Sequence, residues 1–262
     1  MKILVSAILI TILASTSKWQ EKKSIPGFFQ SVEVDEQGAI YLVNDQKHLV
    51  KFDASFDSTY TFDVKSAEVD FVSPQNSLKV LTFNKGLNSV QFLDKTLSPS
   101  VDELNLDDAG FPLVEALGMS RDNNFWVFDQ DQQALKKLDT KMNVIVNSGN
   151  LINITTKNWS PIRLKEFGER VYVNDTLNGL IEFDFFGSYI QTIQTKIKSN
   201  FYVMKDKLWF LRNDSLITHD LIFHNEQGIK LPQKNIKEFA YYRSQFYLLT
   251  QEKLYIYGLS KN

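Results

Sequence analysis

The chain has 262 residues and a formal net charge of −2, with 43% hydrophobic and 23% charged residues, a balance ordinary for a globular protein. A slightly acidic chain with no long Lys/Arg block lacks the basic footprint of nucleic-acid recognition, and no nucleic-acid partner is expected. Cysteine is absent, which excludes disulfides, thiolate metal sites, cysteine nucleophiles and lipid attachment through an N-terminal cysteine, so a lipoprotein is not expected.

Residues 1–17 have the layout of a secretory signal peptide: Lys2, an apolar run from Ile3 to Leu13, then Ala14, Ser15, Thr16 and Ser17. The run is too short for a comfortable membrane span of about 20 residues. Export with cleavage near Ser17 is expected, giving a periplasmic or secreted protein with no membrane span after cleavage. The domain expected is residues 18–262, since no Pro/Ser/Gly-rich linker divides them.

From residue 40 onward one phrase recurs six times, with a spacing of about forty residues. An apolar strand, in most copies ending on Asn or Asp, is followed by a few polar residues and a second apolar strand. Two copies are close in spelling: Ile40-Tyr41-Leu42-Val43-Asn44-Asp45 before Leu49-Val50-Lys51-Phe52-Asp53, and Val171-Tyr172-Val173-Asn174-Asp175 before Leu180-Ile181-Glu182-Phe183-Asp184. The other pairs begin at Lys79, Phe125, Leu208 and Phe246. A preceding strand is predicted at 31–34, 68–72, 114–119, 163–167, 201–204 and 238–242, and a following one at 59–64, 101–106, 144–152, 189–193 and 228–231. The connections are rich in Asp, Asn, Ser and Gly, which close hairpins. Four short strands per repeat is a propeller blade, and the 13% aromatic content suits pleated surfaces. The fold class predicted is all-β, a six-bladed β-propeller of four-stranded antiparallel blades. The last repeat lacks its fourth strand, because only residues 258–262 follow Tyr257. The segment 18–24 is predicted to supply it, closing the last blade with an N-terminal strand.

The stretch Val34-Asp35-Glu36-Gln37-Gly38-Ala39-Ile40-Tyr41-Leu42 resembles the blade signature of propellers of the NHL and gluconolactonase-like type, in which Asp-x-x-Gly turns one strand into the next. Ser120-Arg121-Asp122-Asn123-Asn124-Phe125-Trp126-Val127 is a second, more divergent copy. The resemblance implies the architecture and leaves the activity open. In the lactonase-like families Glu, Asn and Asp around the central channel hold a divalent cation, and Glu33 stands nearest to such a position. No second carboxylate stands at equivalent spacing, and no metal or other cofactor is expected.

The strand-ending Asn44, Asn84, Asp129, Asn174 and Asn213 are either a ring of ligands or, more simply, hairpin-closing Asx residues. His48, His219 and His224 lack zinc spacing and triad context. The acidic run from Asp102 to Asp108 lacks the Gly and terminal Glu of a calcium loop. Aromatic residues at strand ends remain. Neighbours along a strand point to opposite faces, so one member of a pair such as Phe28-Phe29, Phe185-Phe186 or Tyr241-Tyr242 tends to be exposed. Phe28, Trp159, Phe186 and Tyr242 are the candidate binding residues. The functional expectation is an exported, non-catalytic propeller with a protein partner in the bacterial cell envelope; the alternatives are a metal-dependent propeller hydrolase or lactonase, and a glycan-binding propeller.

Overall fold

The computed structural model describes residues 18–56, 59–62, 68–155 and 158–260. The predicted signal peptide, residues 1–17, and residues 63–64 of one predicted outer strand lie outside the described residues. All regular structure described is strand, in six antiparallel sheets of four. Blade 1 is Phe29–Val34, Ile40–Asn44, Leu49–Phe52 and Thr59–Phe62. Blade 2 is Phe71–Asn76, Lys79–Asn84, Ser89–Leu93 and Leu104–Asn105. Blade 3 is Val114–Met119, Phe125–Asp129, Ala134–Leu138 and Val144–Asn147. Blade 4 is Pro161–Phe167, Arg170–Asp175, Gly179–Asp184 and Tyr189–Ile193. Blade 5 is Phe201–Met204, Lys207–Arg212, Ser215–Asp220 and Glu226–Lys230. Blade 6 is Glu238–Tyr242, Gln245–Leu249 and Lys253–Ser260, and its outermost strand is Lys18–Pro26 from the other end of the chain.

The first strand of each blade neighbours the first strand of the next, and blade 6 returns to blade 1, so the sheets form a closed ring around a central channel. The predicted closing strand is present and longer than expected. It pairs from Lys18↔Ser260 to Pro26↔Lys253, with an irregularity between Glu21 and Lys23. Trp19 places its ring 5.2 Å from Phe246 and 6.1 Å from Tyr257, edge-on, and its indole N–H donates to the Lys230 carbonyl of blade 5 at 2.9 Å. The borrowed strand therefore completes blade 6 and also fastens it to its neighbour.

The hydrophobic core is divided into six clusters, one at each joint between blades. That division explains why strands buried on both faces read as continuous apolar runs. At the joint of blades 3 and 4 the backbones come close: a Cβ at Gly118 would lie 2.4 Å from the Leu164 carbonyl oxygen. Two outer strands are shorter than their sequence predicts, Leu104–Asn105 in blade 2 and Val144–Asn147 in blade 3, whereas Tyr189–Ile193 in blade 4 runs as predicted. Outer strands pair on one side only, and in blade 2 the preceding segment instead makes a single bridge, Leu93↔Pro99, with a residue that has no N–H to donate. The first strand of blade 2 begins at Phe71 rather than 68, because the Val69 N–H is taken by the Lys47 carbonyl of blade 1 at 2.8 Å.

Candidate functional site

The innermost strands line the channel, and the side chains they present there are mostly charged. Glu33 of blade 1 faces Lys165 of blade 4, the blade opposite it in the ring. The Lys165 ammonium donates to both carboxylate oxygens, at 2.8 and 2.9 Å. Asn200 Nδ2 adds a bond to one oxygen at 3.0 Å, and the Tyr202 hydroxyl one to the other at 3.3 Å. Beside this pair, the Arg163 guanidinium forks onto Glu238, at 3.1 and 3.4 Å, and the Asn200 backbone N–H donates to Glu238 at 2.6 Å. Blades 1, 4, 5 and 6 are thus tied together across the axis.

Burial sets the electrostatics of this lattice. It pushes the Lys165 pKa down, against the pull of Glu33. It works against the charge of Arg163 too, but there Glu238 and Glu33 prevail and the pKa is raised. Burial, then Glu33, hold the Tyr202 phenol well above its ordinary value, so it stays a donor. On one side of the lattice a cavity of about 150 Å³ is lined by Ser73, Gln75, Lys165 and Tyr202 among others. A second, of about 300 Å³, opens beside Arg163 with Lys85, Glu115 and Ser160. The Glu33 carboxylate does not fit a cation site, because an ammonium occupies both its oxygens. Among the described residues, no three of His, Asp and Glu converge in a way that could hold a metal ion.

The four candidate aromatic residues do not form one platform. In each antiparallel blade, successive connections alternate between the two faces of the disc. Phe28 and Trp159 lie in connections between blades, on the face that also carries the second hairpin of each blade. Phe186 and Tyr242 lie at hairpins of the opposite face. Phe28 and Phe186 are exposed, at 55% and 77%, while their neighbours Phe29 and Phe185 turn inward, although Phe28, Phe185 and Phe186 lie in connections rather than in strands. Trp159 is a correction: it is only 4% exposed, stacked at 4.7 Å on Phe128 in the core between blades 3 and 4. Tyr242 is half-buried and holds the last joint; its hydroxyl donates to the Glu36 carbonyl of blade 1 at 3.0 Å, and a Cβ at Gly38 would strike its ring at 2.7 Å. Phe223, absent from the sequence-derived set, is 75% exposed beside exposed Ile222 in the blade 5 hairpin equivalent to that of Phe186.

The recurrent Asn and Asp close turns. Asn44 Oδ1 accepts from the N–H groups of Gln46 and His48, both at 2.9 Å, Asn84 from Leu87 at 3.0 Å and Asp129 from Gln132 at 3.1 Å. In blade 4 the task passes to Asp175, while Asn174 donates to the Ile197 carbonyl at 3.0 Å. In blade 5, Asn213 instead takes a positive φ of 50°. Of the histidines, His219 is half-buried with Nδ1 3.5 Å from Glu226, and its ring is 5.9 Å from that of His224.

Sequence reasoning passed over two devices. After Asp53, Asp94 and Asp139, the residue three places on has left-handed φ: Phe56 at 69°, Leu97 at 62° and Met142 at 66°. These side chains tuck into the clusters between blades, which offsets the backbone cost. The blade 4 equivalent is Gly187, where a Cβ would lie 3.1 Å from Val146. The second device is the adjacent pair Lys136 and Lys137, both buried and pointing to opposite faces of the sheet. Lys136 is 2.8 Å from Asp129; Lys137 is 2.8 Å from Asp122 and lies 3.5 Å over the Phe185 ring.

No family model matches the chain, and no curated protein matches it by sequence. Solved structures do. The chain is similar to a streptogramin B lyase structure (TM-score 0.59, 14% identity, covering 94% of this chain and 88% of that one). It is similar to BamB from Moraxella catarrhalis (TM-score 0.59, 10% identity, 94% and 99% covered). It is also similar to the β-propeller domain of Cps50 (Swd1) from Myceliophteria thermophila (TM-score 0.64, 11% identity, 93% and 100% covered). At these identities the likeness is one of fold. The chain is a six-bladed β-propeller, the architecture that its likeness to the NHL and gluconolactonase-like type implied.

Proposed function

We propose that this chain is an exported propeller that acts as a protein-interaction scaffold in the bacterial cell envelope, periplasmic or secreted, and that recognition takes place on its loop faces. The observation that carries this reading is the filled channel. Where a propeller hydrolase needs a free carboxylate, Glu33 is held by Lys165, Asn200 and Tyr202. The faces, by contrast, carry large exposed apolar side chains: Phe28, Leu87 and Leu177 on one, Phe186, Ile222 and Phe223 on the other. Contiguous exposed apolar surface marks interaction sites, and Ile222 and Phe223 stand side by side in one hairpin. The leader-like residues 1–17 support export. Fold alone decides neither binding nor catalysis, so the test must be direct. A photo-crosslinking residue at position 28 or 186, in cells of the source bacterium, is expected to yield a discrete protein adduct in the envelope fraction, while position 145 on an outer strand does not. No adduct from either face, together with measured turnover of a lactone panel, would overturn the reading.

A further inference from the structure

On the face that carries the connections between blades, a cleft of about 350 Å³ opens between blades 5 and 6. Leu211, Leu231 and Ile236 give it apolar lining, and Lys196, Lys198 and Lys237 line it alongside them. The segment 196–198 is rigid by construction. Thr195, Ile197 and Ser199 are buried, which turns the intervening Lys196 and Lys198 outward together. The Asn174 side chain holds the Ile197 carbonyl at 3.0 Å, and Asn200, next along, is anchored on Glu33. No carboxylate among the described residues pairs with Lys196 or Lys198, and Lys237 reaches only Gln251, at 3.5 Å. Two other polar groups at the cleft are already engaged: Asp214 accepts from the Asn235 N–H at 3.1 Å, and Arg212 is paired with Glu226. In a chain of net charge −2, three lysines without an ion pair among the described residues outnumber the one carboxylate of the cleft, Asp214, and form a local charge reversal.

We propose that this cleft receives an acidic segment of a partner protein, one that sets an aliphatic or aromatic side chain into it with carboxylates against the three lysines. The proposal rests on the scaffold reading and names the chemistry of the partner. A cleft that joins leucine and isoleucine side chains to ammonium groups suits a peptide with an apolar side chain among carboxylates rather than a flat anionic membrane, which an overall acidic protein approaches against repulsion. Exposed ion pairs contribute little each, so the anchor supplies most of the affinity, and the lysines supply register, on-rate and salt sensitivity.

The test is selection from a displayed random dodecapeptide library on the protein, against the Lys196→Glu/Lys198→Glu variant. Both residues are exposed and free of ion pairs, so the variant is expected to melt as the parent does. The parent should enrich peptides combining Asp or Glu with an apolar residue. A selected peptide should bind the variant about tenfold more weakly, the sum of two modest charge contacts, and should weaken with salt on the parent only. Equal enrichment on both proteins, no enrichment, or lysine-dependent binding to vesicles with 30% phosphatidylglycerol but not to peptide would overturn the proposal. If crosslinking from position 28 captures a partner equally with parent and variant, the cleft assignment fails while the scaffold reading stands.

Discussion

Replacing Glu33 with Ala strands the Lys165 ammonium inside the channel. Glu238, the other carboxylate that acts on Lys165, is held by Arg163 at 3.1 Å, and Asn200 and Tyr202 lose their acceptor as well. Removing one partner of a buried pair costs about 3–5 kcal/mol. The lysine can escape by shedding its proton, which at pH 7 costs about 4–5 kcal/mol from an ordinary lysine and so caps the penalty. Burial already pushes the Lys165 pKa down. In the variant the unfolded chain therefore binds more protons than the folded one between the lowered folded pKa and the ordinary unfolded value. Stability then rises with pH in that window, and the deficit relative to the parent should shrink from pH 7 towards pH 10. The assay is urea unfolding followed by tryptophan fluorescence at both pH values. The control is the double variant Glu33→Gln/Lys165→Met, which removes both charges and keeps an acceptor for Asn200 and Tyr202; it should recover at least half of the loss. A single variant within about 0.5 kcal/mol of the parent, the range of an ordinary surface change, would refute the reasoning. So would a double variant as unstable as the single one.

Further outcomes follow from the same geometry. Trp19→Ala, which removes two edge-on ring contacts and a bond to blade 5, should cost roughly 3 kcal/mol by urea unfolding, whereas exposed Lys22→Ala should stay within about 0.5 kcal/mol. Leu97→Ala should cost about 2–4 kcal/mol; Leu97→Gly should be no worse, because glycine relieves the positive φ of 62°. That reverses the usual order of the two substitutions. Hydrogen bonds hold the turn carboxylates below their usual range, from the Thr96 hydroxyl for Asp94, the Asn143 side chain for Asp139 and the Phe223 N–H for Asp220. A depressed carboxylate stabilises above its unfolded pKa of about 3.9 and loses that contribution as pH falls through the folded value. Melting temperature should therefore drop below pH 4, and the triple Asp→Asn variant at 94, 139 and 220 should show a flatter acid limb.

The ring was legible in the sequence because its signals are local. Short recurrent apolar runs marked the strands, Asn and Asp marked the turns, and a last repeat one strand short pointed to the segment at 18–24. The expectation that one member of each aromatic pair is exposed held for Phe28 against buried Phe29 and for Phe186 against half-buried Phe185. The site was less legible because its partners are distant in the chain. Lys165 and Glu33 lie 132 positions apart, and no spacing rule joins them; only closure of the ring sets blade 1 opposite blade 4. Trp159 misled because a connection between blades need not be surface, and this one drops its ring onto Phe128. Leu97 and Phe56 carried no turn signal, since apolar side chains stand where glycine usually supplies the positive φ. Nothing in the local pattern marks Lys136 and Lys137 for burial, yet each finds a carboxylate within its own blade, Asp129 and Asp122.

The central claim is that the channel is a structural lock and the faces do the recognising. It is tested most directly by partner capture with two altered proteins, each checked to be folded under the assay conditions, Glu33→Gln/Lys165→Met in the channel and Phe28→Ser/Leu87→Ser on a face. The account predicts undiminished capture by the channel variant and at least a tenfold loss by the face variant if that surface is used, as expected when exposed apolar anchors are removed. Loss of capture, or of a measurable turnover, in the channel variant while the face variant behaves as the parent would contradict it.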